Sequence, residues 1–290
     1  MQRRELLKMA ATAGAASVFA ARGASAVSAD DVVLKIIDTN VSLFQWPFKR
    51  LPLDELDALV NKLRSLGITQ AWAGSFEGVL HRDIAGVNHR LADACARHPE
   101  LIPIGSINPQ LPDWTEDLRR CIALHDMPGI RLHPNYHQYA LDSQDCARLL
   151  ELATRAGRFV QIAATMEDTR TQHPQLSVPD VDLEPLASLV SRLPGARVQI
   201  LNYRPRKPLL DKLAKTSGLY FDTARVDGTD AVPTLVSQVP HNRVMLGTHA
   251  PFLIPESALI RLHESSRFGA DELGRVLYGN AEQFLKSTKS

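Results

Sequence analysis

Short apolar runs alternate with longer stretches of helical spacing along most of the chain. The runs are Val32–Asp38, Thr69–Ala73, Ile102–Ile107, Gly129–His133, Phe159–Ala163, Arg197–Leu201, Gly218–Asp222 and Arg243–Gly247. Each is five to seven residues long, and most show little polar alternation. Strands covered on both faces read this way. Between them, Leu53–Leu66, Asp83–Arg97, Trp114–Leu124, Ser143–Arg155, Leu183–Arg192, Lys207–Lys215, Asp230–Val239 and Glu256–Ser265 carry apolar residues at helical intervals, and Ala270–Phe284 closes the chain. Several helices run into a Gly or Pro that resets the backbone for the next strand, as at Leu66-Gly67, His98-Pro99, Ala156-Gly157 and Ser217-Gly218.

Strict alternation of strand and helix means parallel strands with helical crossovers. Eight such units in this length are what a closed barrel needs, so the pattern predicts an α/β fold, a single (β/α)8 TIM barrel. An open doubly wound sheet is the competing reading. It would usually carry a Gly-rich turn after the first strand, where this chain has Asp38-Thr39-Asn40-Val41-Ser42. No repeat or interior linker divides the chain further.

The first residues depart from this pattern. Arg3-Arg4-Glu5-Leu6-Leu7-Lys8 precedes an uncharged Ala-rich stretch, Met9–Ala21, and then Arg22-Gly23-Ala24-Ser25-Ala26. A basic start, a short apolar middle and a small-residue exit compose a secretory signal, and the paired arginines resemble the twin-arginine subclass that exports folded proteins. The expected division is therefore a signal over residues 1–26 and a barrel domain over residues 27–290. The apolar stretch is too short to anchor the chain stably in a bilayer. The expected localisation is periplasmic or otherwise exported, with the twin-arginine export machinery as a partner.

Loss of residues 1–26 lowers Lys+Arg from 33 to 29 and Asp+Glu from 32 to 31, moving the formal charge from +1 to −2. That balance offers no field for nucleic acid. A small-molecule substrate is the expected partner, and a homo-oligomer is left open. The three cysteines, Cys95, Cys121 and Cys146, fall in predicted helices without close spacing. This argues against a disulfide framework or a zinc site, and reads as helix packing.

In a barrel the chemistry sits where the strands end. The residues there are Asp38, Asn40 and Ser42; Arg131, His133 and His137; Glu167, Asp168, Arg170 and His173; Asn202; Asp222; and Thr248-His249. Any one of these commonly just satisfies a loop backbone. Their concentration at one end points to a site.

These segments resemble the amidohydrolase-related family of the metal-dependent hydrolase superfamily. The likeness rests on Asp-x-Asn-x-Ser after the first strand, Gly-Ile-Arg-Leu-His-Pro at the fourth, Gly-Thr-His-Ala-Pro-Phe at the eighth and Gly279-Asn280-Ala281 in the last helix, spanning about Ile36 to Phe284. The family places His-x-His where Asn40 and Ser42 stand, often a His where Ala164-Thr165 and Asn202 stand, and an Asp where His249 stands. Asn and Ser are weak ligands beside imidazole and carboxylate, so the usual metal cluster is expected to be dismantled. No cofactor is expected with certainty; if a divalent metal binds, Asp38, His133 and His249 are its candidate ligands.

Some relatives in this superfamily work without metal, through His, Arg and Asp. By that resemblance His133 or His249 acts as general base, and Asp38 orients it or the attacking water. Asp168 joins them as a catalytic candidate. Arg131 or Arg170 would hold a substrate carboxylate, and Asn40, Ser42 and Asn202 would donate to an oxyanion. His137, Glu167 and Asp222 complete the substrate-binding candidates. Arg131 has a second reading as packed polar core. Trp46-Pro47-Phe48 and Trp114 read as an apolar lip or as packing against helices. Three functions follow: a hydrolase of an ester, lactone or amide that works without metal; a conventional metal hydrolase or decarboxylase with unusual ligands; or a barrel that only binds a small polar ligand.

Overall fold

The structure is a computed structural model, and it describes residues 35–286. The expected signal over residues 1–26 lies outside the described residues. Among them, no helix is long and apolar enough to cross a membrane.

All strand pairings are parallel. Strands β1 (Ile36–Leu43), β2 (Ile68–Ser75) and β3 (Leu101–Pro103) form one ladder. Strands β4 (Gly105–Ser106), β5 (Gly129–Leu132), β6 (Phe159–Ala163), β7 (Val198–Leu201), β8 (Leu219–Asp222) and β9 (Val244–Met245) form the other. β3 and β4 are one barrel strand interrupted at Ile104, whose N–H donates to Ala73 O at 2.8 Å. The ladders are not continuous around the circle. Between β1 and the segment after β9, single bonds take over: Thr39 N to Leu246 O, His249 N to Asn40 O and Ser42 N to Ala250 O, each 2.9 Å. Eight strand positions result, and the (β/α)8 reading holds against the open sheet.

Helices follow the strands: α1 (Leu56–Ser65), α2 (Ile84–Ala96), α3 (Trp114–Ala123), α4 (Gln144–Arg155), α5 (Leu186–Ser191), α6 (Leu209–Lys215), α7 (Ala231–Gln238) and α8 (Pro255–His263). Helix α9 (Ala270–Gly274), a π-helical turn (Arg275–Gly279) and α10 (Asn280–Lys286) end the described chain. Side chains cap two of them as their sequence suggests: Asp83 accepts from Gly86 N and Ser143 from Cys146 N. Cys95, Cys121 and Cys146 are free and buried on α2, α3 and α4, as helix-packing residues. Trp114 packs against the main core.

The barrel interior is layered, because inward residues recur every second position along each strand. The lowest layer is apolar: Ile37, Trp72, Ile104, Phe159 and Met245, plugged from below by Phe284 of α10. Two residues further on the layer turns polar. In the paired register Arg131 lies beside Gln161, and Gln161 beside Gln199. Gln161 donates to Gln199 Oε1 and to Thr39 O, both at 2.8 Å, and Gln199 donates to Thr39 Oγ1 at 2.7 Å. A further step up, Phe76, Ala163 and Met166 join the cluster at the mouth.

One strand departs from the sequence reading. β1 begins at Ile36 and runs to Leu43, where the apolar pattern suggested Val32–Asp38. Its polar stretch is strand, not turn, because that stretch lines the interior and is buried throughout. A register shift between Asp38 and Val41 gives Asn40 room to reach across the barrel.

Candidate active site

Asp38, Asn40, Asn202, Asp222 and Thr248 form one buried hydrogen-bonded group where the strands end. Asn40 Nδ2 donates to Asp222 Oδ2 at 2.6 Å and to Asn202 Oδ1 at 2.8 Å. Asn202 N donates to Asp222 Oδ1 at 2.9 Å, and Asn202 Nδ2 to Thr165 O at 2.8 Å. Asp38 Oδ2 accepts from Thr248 Oγ1 at 2.5 Å, while Oδ1 accepts from Thr248 N and Asn40 N at 3.0 Å. Burial pushes the Asp38 carboxyl up to about 6 and the Asp222 carboxyl up to about 7, against the pull of these donors. Gly247 is required here: a Cβ on it would lie 2.8 Å from Asp222 Oδ2 and 3.1 Å from Asn40 Cβ.

Arg131 is core rather than a ligand arm. Its Nε donates to Gln161 Oε1 at 2.9 Å; its Nη1 donates to Val41 O at 2.9 Å and Ser42 Oγ at 3.2 Å; its Nη2 donates to Trp72 O at 3.3 Å. Burial lowers it to about 10, with Asp222 and Asp38 opposing. The donors of Asn40 and Asn202 are likewise engaged within the protein, and Ser42 Oγ faces the guanidinium.

Above this layer stand three imidazoles. His249 Nε2 lies 2.7 Å from Met166 O, and His137 Nε2 lies 3.0 Å from Gly78 O. A carbonyl only accepts, so in each ring Nε2 carries the hydrogen and Nδ1 presents a lone pair. Nδ1 of His133, His137 and His249 is buried with no hydrogen-bond partner. The rings of His133 and His137 meet edge to face, 5.9 Å apart. Burial holds all three neutral: it lowers His249 to about 3, helped by the positive charge of Arg225, and His137 to about 4, and it takes His133 well below the usual imidazole range. His249 also adopts φ +57°, an uncommon conformation for a non-glycine residue, as does Asn202 at φ +59°.

An aromatic cover closes over this group. Trp46, 2% exposed, sits edge-on to Phe48, Phe76, Tyr136 and Phe252, with ring centroids 4.9–5.6 Å apart. Phe252 in turn stacks on His249 at 5.0 Å. Trp46 and Phe48 thus form an apolar lip at the mouth.

The structure does not bring Asp168 and Arg170 into the imidazole group. Asp168 accepts two bonds from Arg170 and one from Arg204 Nη2, all at 2.9 Å, and its carboxyl is held far below the usual range by Arg170 and then Arg204. Arg170 itself is largely exposed. Glu167 is buried and pairs with Lys49, and Thr171 Oγ1 donates to it at 3.3 Å. Two residues outside the expected set matter. Thr248 seals Asp38, and Arg225 donates from Nη2 to Met166 O at 3.1 Å, the acceptor that His249 also uses.

Among the described residues no group of three or more His, Cys, Asp or Glu is arranged to hold a metal ion. The residues in the metal-ligating places of the fold are Asn40, Ser42 and Asn202, whose polar atoms are already spent on one another, on Asp222 and on Arg131. This donor set does not fit a divalent cation.

Fold and site together define a TIM-barrel protein of the amidohydrolase-related superfamily with an altered mouth. The amidohydrolase family model matches residues 40–202, more than half of the chain. The chain belongs to that family. Among solved structures, 2,6-dihydroxybenzoate decarboxylase from Rhizobium is similar at 16% identity and TM-score 0.67, covering 86% of this chain and 99% of its own. 5-Carboxyvanillate decarboxylase from Novosphingobium aromaticivorans, solved with manganese, is similar at 15% identity and TM-score 0.69, over 87% and 96%. An uncharacterised TIM-barrel protein from Bordetella bronchiseptica gives 16% identity and TM-score 0.67, over 89% and 100%. These likenesses show the fold. No curated protein matches the chain.

Proposed function

We propose that this chain is a hydrolase of the amidohydrolase family that cleaves an ester, lactone or amide of a small molecule without a metal ion. The observation that carries the reading is His249: a neutral imidazole at the barrel mouth, its tautomer set by Met166 O and its Nδ1 lone pair unpartnered. Opening of the aromatic cover admits water and relieves the burial that makes the ring hard to protonate, and Nδ1 then takes a proton from water as the water oxygen attacks the substrate carbonyl carbon. The carbon–oxygen or carbon–nitrogen bond then breaks, and the imidazolium returns the proton to the leaving group. His133, with its own free Nδ1, orients the water. Asp38 acts through Thr248, fixing the loop that carries His249.

The test is to purify the chain without chelator or added metal and to screen lactones, esters and amides by acid release. Turnover independent of added metal, with less than about a tenth of a metal ion per chain, is the expected result. About one zinc, manganese or iron per chain, with activity lost on chelation, overturns it. Ligand binding without turnover of any of the three bond types would favour a barrel that only binds.

One observation favours a second reading, decarboxylation. Asp222, whose carboxyl burial pushes up to about 7, can hold a proton near neutral pH. As the bond to CO2 breaks, the electron pair stays on carbon, and that carbon takes the proton from Asp222. Release of CO2 from small carboxylic acids, abolished in Asp222→Asn, would favour this reading over hydrolysis.

We further propose export. The twin-arginine pattern at Arg3-Arg4 supports it. Arg3→Lys combined with Arg4→Lys should retain the chain in the cytoplasm; unchanged export would refute the assignment.

A further inference from the structure

A groove of about 510 Å³ lies between α6 and α7, on the rim of the barrel where β7 and β8 end. None of His133, His137, His249 and Asp222 lines it. Its walls are apolar, from Leu210, Val226 and Leu235, and its charged groups are mostly cationic, from Arg204, Lys207 and Arg225, beside the neutral polar Thr229, Thr234 and Gln238. The one acid in its lining, Asp227, is taken by Arg261 at 2.8 Å. Arg204 is likewise taken by Asp168.

Arg225 is different. It is 6% exposed, yet among the described residues it makes no ion pair, and its Nε has no hydrogen-bond partner. Only Nη2 is accounted for, by Met166 O. A buried guanidinium donor without an acceptor is unfavourable. Its natural partner is a planar anion that receives from its forked donors. Lys207, exposed at the outer end and 3.8 Å from Asp211, adds a second positive charge. The volume suits a small organic molecule, and the apolar walls suit a body that inorganic phosphate lacks.

We propose that this groove is a binding site for a small organic carboxylate with an apolar body, seated with its carboxylate on Arg225. The site lies beside the barrel mouth and is distinct from it, so it stands whether or not the hydrolytic reading does. Arg225 links the two, because it shares the Met166 carbonyl with His249.

The experiment is calorimetric titration of the purified chain with benzoate, with benzyl alcohol and with inorganic phosphate. Benzoate should bind one to one, and the other two at least about tenfold more weakly, since neither combines the charge with the body. Arg225→Gln should weaken benzoate by about tenfold or more. Ala231→Phe, which fills the groove from α7, should abolish binding while the melting temperature holds. If Arg225→Gln does not fold, Ala231→Phe and Lys207→Ala carry the comparison. His133→Ala, at the mouth and sharing no hydrogen-bond partner with Arg225, should leave benzoate affinity within about twofold. The proposal is overturned by no benzoate binding at about 10 mM, by phosphate or benzyl alcohol binding as well as benzoate, by full binding in the folded groove variants, or by loss of binding in His133→Ala.

Discussion

His249 and Arg225 converge on one acceptor, the main-chain oxygen of Met166, at 2.7 and 3.1 Å. A neutral base and a fixed positive charge are thereby held side by side. The charge is one of the two leading reasons, after burial, that His249 is hard to protonate. Replacing Arg225 by Gln removes the charge and keeps a donor for Met166. The His249 ring should then titrate above the value of about 3 that it has in the intact protein. Carbon-detected NMR of the histidine rings reads this directly without a substrate. A ring that titrates at the same pH in both proteins would show that Arg225 does not act on it.

The same imidazole is predicted to be essential to turnover. His249→Ala should lower kcat by about 10² to 10⁴, the usual worth of a positioned base. His133→Ala should cost less, because that ring orients the water and does not take its proton. Both variants should keep their melting temperature within a few degrees, since each ring leaves an Nδ1 unsatisfied in the folded state. Equal activity of both variants and the parent, measured on whichever ester, lactone or amide is turned over, would remove His249 and His133 from the mechanism.

Asp38 and Asp222 make stability depend on pH in an unusual direction. Their folded values lie near 6 and 7, above the ordinary carboxylate value of 3.8. The folded state therefore binds protons more tightly than the unfolded state. This contribution is fully present below about pH 4 and is lost as pH rises through about 6 and 7. These two carboxyls therefore subtract stability between pH 5 and pH 8, while the three imidazoles held neutral add it as pH rises to about 6.5, so the difference between the parent and Asp222→Asn isolates the carboxyl. Asp222→Asn should flatten that loss, because its side chain cannot ionise. Urea midpoints for both proteins at the two pH values give the comparison. A parent whose midpoint rises from pH 5 to pH 8 while that of Asp222→Asn stays flat would contradict it.

Gly74 and Arg131 are matched in the same way as an open seat and its occupant. A Cβ at residue 74 would fall 2.6 Å from Arg131 Nη1. Gly74→Ala should therefore cost about 1–3 kcal/mol by overpacking. Arg131→Met removes the guanidinium and leaves Val41 O, Trp72 O and Gln161 Oε1 without their donor. That should cost about 3–5 kcal/mol, as when one partner is taken from a buried polar network. Chemical denaturation of both variants tests the pair, and a Gly74→Ala as stable as the parent would mean that the guanidinium shifts freely.

The strand-and-helix alternation was legible because each strand is apolar on both faces, and the same fact hid which face points inward. Arg131 shows the consequence. As a lone charge in an apolar run it reads equally as a ligand arm or as core; only its neighbours in register, Gln161 and Gln199, reveal a polar layer. Those three residues at matching positions in consecutive strands were the available signal. Asn202, Asp222 and His249 were singled out from sequence because they stand at or just after strand ends, and Asp38 and Asn40 because the apolar run stops there, although β1 continues to Leu43. Arg225 and Thr248 end strands too, but what distinguishes them is a partner across the barrel, Met166 O for one and Asp38 for the other. Such pairings follow from closure of the barrel and leave no local trace. The end of β1 was placed too early for a related reason, since a buried polar stretch inside a barrel reads as a turn.

Asp168 and Arg170 supply the last prediction. Asp168 is bound by Arg170 and Arg204 and caps the short helical turn at Thr169–Thr171 by accepting from Arg170 N at 3.0 Å. This arrangement orders the loop and leaves the carboxylate no free lone pair directed at the imidazoles. Asp168→Asn should therefore leave turnover within a few-fold of the parent while lowering the melting temperature. The sign of the pH effect follows from the depressed carboxyl. Its contribution is fully present above the unfolded value of about 4 and declines as pH falls below it toward the folded value. The melting temperatures of parent and variant should differ most at neutral pH and draw together in acid. A variant that keeps its melting temperature but loses turnover by about 10² or more would instead return Asp168 to the chemistry.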